Sequence, residues 1–210
     1  LDKPTDANRK AIDMLAKGVE SLGFNLCNEC EPTLDSISRL LKDIDLNQVE
    51  INFTGGFATA KALPFIVKFL EQSRFDAQKI RFSIDYSPLT SLSLNGKFCC
   101  DNDASFEGLV SVILAVKNFP NFRVIGVNGH IFHNSGSSTV QELGFALAMA
   151  SNYLTVLTEK GFTVDEVATR MSFNFAISSS YFMEIAKFRA ARLLWAKMVE
   201  VYNPTSAKSS

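Results

Sequence analysis

Both histidines of this chain, His130 and His133, fall three residues apart within Asn128-Gly-His-Ile-Phe-His-Asn-Ser-Gly136. Two imidazoles so placed suit metal ligation or acid–base work near neutral pH. A metal site needs roughly three or four protein ligands, and only Asp85 or Glu107 stands out as a third, so no metal is expected. Asp85 belongs to Ser83-Ile-Asp-Tyr86 at the end of a predicted strand, where its carboxylate serves as a base or caps the following turn. Thr54-Gly55-Gly56 offers bare backbone amides at a helix start, a possible phosphate cradle. A tight strand-to-helix turn that needs glycine is the commoner reason for such a pair. Arg170, Arg189 and Arg192 either bind an anion or satisfy helix carbonyls. The four cysteines form Cys27-Asn-Glu-Cys30 and Cys99-Cys100. Zinc would want a second well-spaced pair, so they read as reduced structural thiols of a cytoplasmic protein.

Alternating strands and helices must position these groups. Helices are predicted over Lys10–Leu22, Leu34–Lys42, Gly56 to about Gln72, Phe106–Asn118 and Thr163–Arg170. Strands are predicted near Gly23–Cys27 and over Gln48–Phe53, Lys79–Asp85, Phe122–Asn128, Asn152–Val156 and Met171–Ile177. Ser87–Ala104 reads as irregular and Gly129–Ser138 as a polar loop. Thr139-x-x-Glu142 reads as a capping box for a helix through Ala150. Strands separated by helices of this length indicate parallel βαβ units. Six such strands suit an incomplete (β/α)₈ TIM-type barrel, with a doubly wound sheet as the second choice. In a parallel barrel, function collects at the C-terminal ends of the strands.

The chain has 210 residues, 47% hydrophobic and 20% charged, with a net charge of −1. That is a globular profile, and the absence of a basic block argues against a nucleic-acid partner. No apolar run approaches the roughly 20 residues of a membrane helix, so no membrane partner is expected. The sequence starts at Leu1, as a trimmed or excised chain would.

The last third carries the least ordinary pattern. At about 100° per residue, Glu184, Lys187, Arg189, Arg192 and Lys197 are spread around most of the circumference of a helix over Tyr181–Val199. Phe182, Ile185, Leu193, Leu194 and Trp195 fill the gaps between them. Such a helix is expected to be contacted from several directions, its charges paired within a larger assembly. The alternative is an ordinary helix whose basic side chains snorkel to water. Arg170-Met-Ser-Phe-Asn-Phe175 and then Phe182-Met-Glu-Ile-Ala-Lys-Phe-Arg-Ala-Ala-Arg-Leu-Leu-Trp-Ala-Lys-Met198 are very similar to the methylmalonyl-CoA mutase barrel. That family carries an R-x-S-F strand followed by F-M-E-x-A-K-x-R-A-A-R-x-L-W-A-K. Thr54-Gly55, the strand ending at Asp85 and the Gly129–Gly136 loop are thinner matches, so the resemblance spans nearly the whole chain.

The resemblance implies a radical isomerisation of succinyl-CoA and methylmalonyl-CoA driven by adenosylcobalamin, in propionate metabolism. In the family's catalytic chain an Arg grips the substrate carboxylate, a Gln follows a strand and a His lies near the migrating carbonyl. Here Glu107 falls where the Arg belongs, Asp85 where the Gln belongs and Ile131 where the His belongs. A carboxylate repels what Arg would clamp through two charge-assisted bonds. Ile131 neither donates a hydrogen bond nor carries a proton. No catalytic or cofactor-binding residue is therefore expected, with His130 and His133 as fallbacks. Thr54, Ser83, Asn128 and Arg170 remain as weak substrate contacts. His133-x-x-Gly136 copies part of the cobalt-ligating D-x-H-x-x-G signature, but Ile131 stands at its Asp. The implied protein is a small, non-catalytic subunit, with residues 1–204 in the barrel and 205–210 a polar tail. It would form a heterodimer with a large catalytic subunit that holds the adenosylcobalamin, since no cobalamin-binding domain lies in this chain. Two rivals are an active barrel using His130 and a free-standing CoA-binding regulatory barrel with Lys97 or Arg123 on the phosphates.

Overall fold

A computed structural model describes residues 4–26, 31–73, 75–98 and 101–205. All four cysteines and the tail beyond Thr205 lie outside them. Nine helices and five strands alternate among the described residues. The strands lie in chain order in one sheet, and the three pairings with a defined register are parallel. A parallel sheet flanked by helices is the arrangement of an incomplete α/β barrel. The chain divides into two compact units, residues 1–86 with 107–124, and residues 87–106 with 125–210.

In the first unit, α1 (Pro4–Ala16) precedes β1 (Ser21–Asn25), α2 (Leu34–Leu40), β2 (Glu50–Thr54), α3 (Phe57–Gln72) and β3 (Phe82–Tyr86). The unit also takes most of α5 (Asn102–Ala115) and the start of β4 (Phe122–Asn128). Alternation along the strands sends Leu22, Phe24, Ile51, Phe53, Phe82 and Ile84 to one buried face. Phe24, Phe53, Phe82 and Phe122 form a ring ladder there, with successive centroids 5.8, 6.1 and 5.5 Å apart. Pairs of this kind each contribute about 0.5–1.5 kcal/mol beyond their buried area. The other face carries Ser21, Asn25, Glu50, Asn52, Thr54, Ser83 and Asp85, each exposed or half-buried.

The second unit holds α4 (Pro88–Asn95), the end of β4, α6 (His130–Asn134), α7 (Thr139–Glu159), α8 (Val164–Thr169), β5 (Met171–Asn174) and α9 (Tyr181–Glu200). Its longest helix replaces two predicted elements. The expected strand Asn152–Val156 lies inside α7. Tyr-Leu-Thr-Val favours a strand locally, but Leu143, Ala146, Leu147, Ala150, Tyr153, Leu154 and Leu157 are all buried at helical spacing, and packing of that face prevails. The capping box sits one residue earlier than predicted. Ser138 accepts from the Gln141 N–H, and Gln141 reaches back to the Ser138 N–H. Two stretches read as irregular are helical. Pro88 at the first turn and Gly96 in the left-handed region (φ 68°) bound α4, and α6 is a single turn that opens directly from β4. The predicted helix over Lys10–Leu22 begins six residues earlier and ends six earlier, freeing Ser21 and Leu22 for β1.

Candidate functional site

The loops and strand ends expected to carry chemistry are largely occupied by the protein's own groups. In the first unit, the Thr54 carbonyl accepts from the Leu26 N–H at 2.7 Å. Gly55 has φ 129°, and any Cβ there would run into the Leu26 carbonyl oxygen. The Thr54-Gly55-Gly56 run is thus a close-packed turn into α3, the structural use of glycine. Ser83 donates to Asn52 at 2.5 Å, and Asn52 donates to Ser21 at 2.9 Å, a polar rung across three strands. Asp85 is half-buried on the same face of β3, one residue pair further on. Glu107 lies on an exposed face of α5.

In the second unit, Asn128 ends β4 with its side chain committed on both sides. Its amide donates to Thr90 at 3.0 Å and its oxygen accepts from Asn174, at the end of β5, at 2.8 Å. The Thr90 hydroxyl lies 2.6 Å from that of Ser87, which lies 3.1 Å from the Tyr153 hydroxyl; that phenol also accepts from the Leu89 N–H at 3.1 Å. This chain of amides and hydroxyls is neutral and supplies no group that exchanges a proton near neutral pH. Arg170 stands at the other end of β5, buried at 8% exposure, and its carbonyl accepts from the Ile125 N–H at 3.0 Å. Burial pulls its guanidinium below the usual range, partly offset by Glu166. Arg170 thus stands at the N-terminal end of its own strand, opposite the end that carries Asn174.

His130 and His133 part company. His130 opens α6 half-exposed and has no polar partner among the described residues. Ile131 is packed into the core at 9% exposure. His133 turns its Nδ1 inward, where it has no hydrogen-bond partner and lies 3.6 Å from Glu142 Oε2. Among the described residues, no three His, Cys, Asp or Glu side chains gather to hold a metal.

Glu142 belongs to a cluster that the sequence reading missed. Lys187 Nζ donates to Glu142 at 2.8 Å and to the Ala176 carbonyl at 2.6 Å, and forms an ion pair with Glu184 at 2.5 Å. The second Glu142 oxygen accepts from the Ala176 N–H at 2.7 Å, and Ser178 donates to Glu184 at 2.7 Å. Both backbone polar groups of Ala176, after β5, are therefore held by side chains of α7 and α9. Burial alone would lower the Lys187 ammonium, but its bonds to the two carboxylates raise it above the usual range. Burial likewise pushes Glu184 up, and the bonds from Lys187 and Ser178 outweigh it, so its carboxyl sits below the usual range. The i,i+3 pair Glu184 and Lys187 was legible in the helical motif; Glu142 was hidden because it fits a cap pattern as well.

The Glu and Lys of the F-M-E-x-A-K motif are thus spent on fixing the strand-to-helix connection. The family model for methylmalonyl-CoA mutase matches residues 4–210. The chain belongs to the methylmalonyl-CoA mutase family. The chain is 40% identical over 202 residues to the methylmalonyl-CoA mutase small subunit of Porphyromonas gingivalis, covering 96% of the chain and 32% of that relative. It is 29% identical over 199 residues to the small subunit of Streptomyces virginiae, covering 94% and 32%. The large subunit of the same Streptomyces is 31% identical over 181 residues, covering 84% and 25%. The chain thus spans about a quarter to a third of these relatives' lengths. The described residues around His133 do not suit cobalt ligation. The aspartate that would orient His133 is replaced by Ile131, and the carboxylate nearest its Nδ1 is already bonded to Lys187.

Proposed function

We propose that the chain forms part of the small, non-catalytic subunit of an adenosylcobalamin-dependent methylmalonyl-CoA mutase. Its role is to pair with a large catalytic subunit and stabilise it, and the cofactor belongs to that partner. The observation that carries this reading is Ile131. The position that the resemblance gives to the carbonyl-handling histidine is a core aliphatic, and the neighbouring imidazole, His133, faces a buried carboxylate. Asn128 supports it, since both polar atoms of its amide serve the fold. Similarity to two small subunits over nearly the whole chain points the same way. The remaining strands of the barrel, its closure and a cytoplasmic location are part of this proposal. Among the described residues no helix is long and apolar enough to cross a membrane.

The test is mutase turnover of methylmalonyl-CoA with added adenosylcobalamin, using the complete natural protein, its large partner, and the two together. The expected result is no turnover by the small protein alone and a more heat-resistant large subunit in the mixture. Turnover by the small protein alone, abolished by His130→Ala, would overturn the reading in favour of an active barrel. Tight CoA binding without any effect on the large subunit, lost on replacing the exposed Lys97 or Arg123, would favour a regulatory barrel.

A further inference from the structure

The buried cluster between α7 and α9 is one positive charge short. Glu142 and Glu184 bring two carboxylates, and Lys187 brings one ammonium, spent on both of them and on the Ala176 carbonyl. Glu142 Oε1 accepts from the Ala176 N–H, and Oε2 holds a single bond, from Lys187. A carboxylate oxygen has room for two. His133 faces that oxygen. Its buried Nδ1 has no hydrogen-bond partner among the described residues and stands 3.6 Å from Oε2, beyond the roughly 2.7–3.2 Å of a hydrogen bond. The turn that carries His133 is built to close such a gap. At its start, Gly129 is wedged so that an added Cβ would come within 3.1 Å of Phe175 and 3.2 Å of Ala146. At its far end, Gly136 has φ 98° and open space around its Cβ position. The Phe132–Phe145 ring pair, with centroids 4.8 Å apart, holds α6 to α7 by an apolar contact, and His133 lies on the free side of it.

We propose that His133 is a proton-operated latch: the imidazolium closes on Glu142 and ties α6 to the cluster, and the neutral ring lets α6 go. The charge count sets the direction. A neutral ring does nothing to balance the surplus carboxylate, whereas an imidazolium balances it and donates from Nδ1 where water does not compete. Charge-assisted bonds of this kind are roughly twice as strong as neutral ones. Among the described residues, the charged groups facing the ring are Glu142 of α7 directly, with Lys187 and Glu184 of α9 behind it. His130 shares the turn and is half-exposed. Glu142 also holds the Ala176 N–H, so the latch joins the connection after β4 to the one after β5. A bond made by the charged ring is complete below the ordinary imidazole value, near about 6.5, and is lost as pH rises.

The experiment follows amide exchange of residues 129–137 in the complete natural protein by mass spectrometry at pH 6 and pH 8, each rate divided by the intrinsic rate at that pH. Wild type is compared with three variants. His133→Gln keeps a donor without a charge, His133→Lys keeps a charge at both pH values, and His130→Ala is the control. The expected result is wild-type protection that falls about tenfold from pH 6 to pH 8, as for losing one hydrogen bond to a charged group. His133→Gln should be as weakly protected at both pH values as wild type is at pH 8. His133→Lys should be protected alike at both, and His130→Ala should follow wild type. Wild-type protection that does not change with pH would overturn the latch, since the ring would then serve equally well in either protonation state. So would a pH dependence that survives in His133→Gln or disappears in His130→Ala. If neither His133 variant folds, wild type and His130→Ala still decide between these outcomes.

Discussion

Lys187 pairs with two carboxylates, Glu142 and Glu184, at 2.8 and 2.5 Å, in a place where all three are buried. Removing one partner of a buried ionic group leaves an uncompensated charge, which costs about 3–5 kcal/mol. Lys187→Met is therefore expected to lower unfolding stability by that amount in urea titrations. The double variant Lys187→Met/Glu142→Gln should recover part of the loss, because the orphaned charge is removed with the lysine. The cluster also sets a pH dependence. The Glu184 carboxyl is held below its ordinary range, so its contribution is complete above the unfolded value near about 4.3 and is lost as pH falls through the lower folded value. Lys187 is held above its ordinary range, so its contribution is complete below about 10.4 and is lost only as pH rises through the higher folded value. Stability measured from pH 5 to pH 3 should fall, and Glu184→Gln should make that acid limb shallower. An unchanged slope would mean that another carboxylate governs acid unfolding.

At the scale of elements, two polar patterns compete for the start of α7. Ser138-x-x-Gln141 and Thr139-x-x-Glu142 both satisfy the capping pattern, and the sequence alone favours neither. What separates them is burial: Glu142 has no exposed surface and is spent on Lys187 and Ala176, so it cannot turn back to a cap. Ser138→Ala should cost about 1 kcal/mol of stability, whereas Thr139→Ala should be nearly neutral, as measured by thermal or urea unfolding. Equal costs would place the cap one residue later. Helices with strong ends were legible: Leu34 and Gln72 end or begin elements where the periodicity put them, and α8 and α9 start within a residue of prediction. The strand misread at Asn152–Val156 shows why others were not, since β-forming residues sat inside a longer helical period. Glycine chemistry was legible at one turn. Gly55→Ala would combine a strained φ of 129° with a clash on Leu26, and is expected to cost about 1–3 kcal/mol or more.

For the whole molecule, the fold could be read further than the site, because periodicity is local and a site depends on which neighbours arrive. Asn128 was visible as a strand-end amide, but its partners Thr90 and Asn174 are 38 and 46 residues away. His133 looked like chemistry until Glu142 appeared beside it. The same dependence on neighbours governs any attempt to restore activity. Ile131→His would return an imidazole to the position that the resemblance gives to the carbonyl-handling residue. Yet Ile131 is a core side chain, and placing a polar ring there without a partner costs about 1–3 kcal/mol. The resemblance also requires an Arg where Glu107 stands and a Gln where Asp85 stands, and a carboxylate at the anion clamp opposes binding of the substrate carboxylate. Groups that act together lose their effect together, so restoring one of three leaves little of the whole. The expected outcome is a protein that melts several degrees lower than wild type and shows no methylmalonyl-CoA turnover alone, with adenosylcobalamin supplied. Turnover by Ile131→His would mean that the other two positions already serve the chemistry.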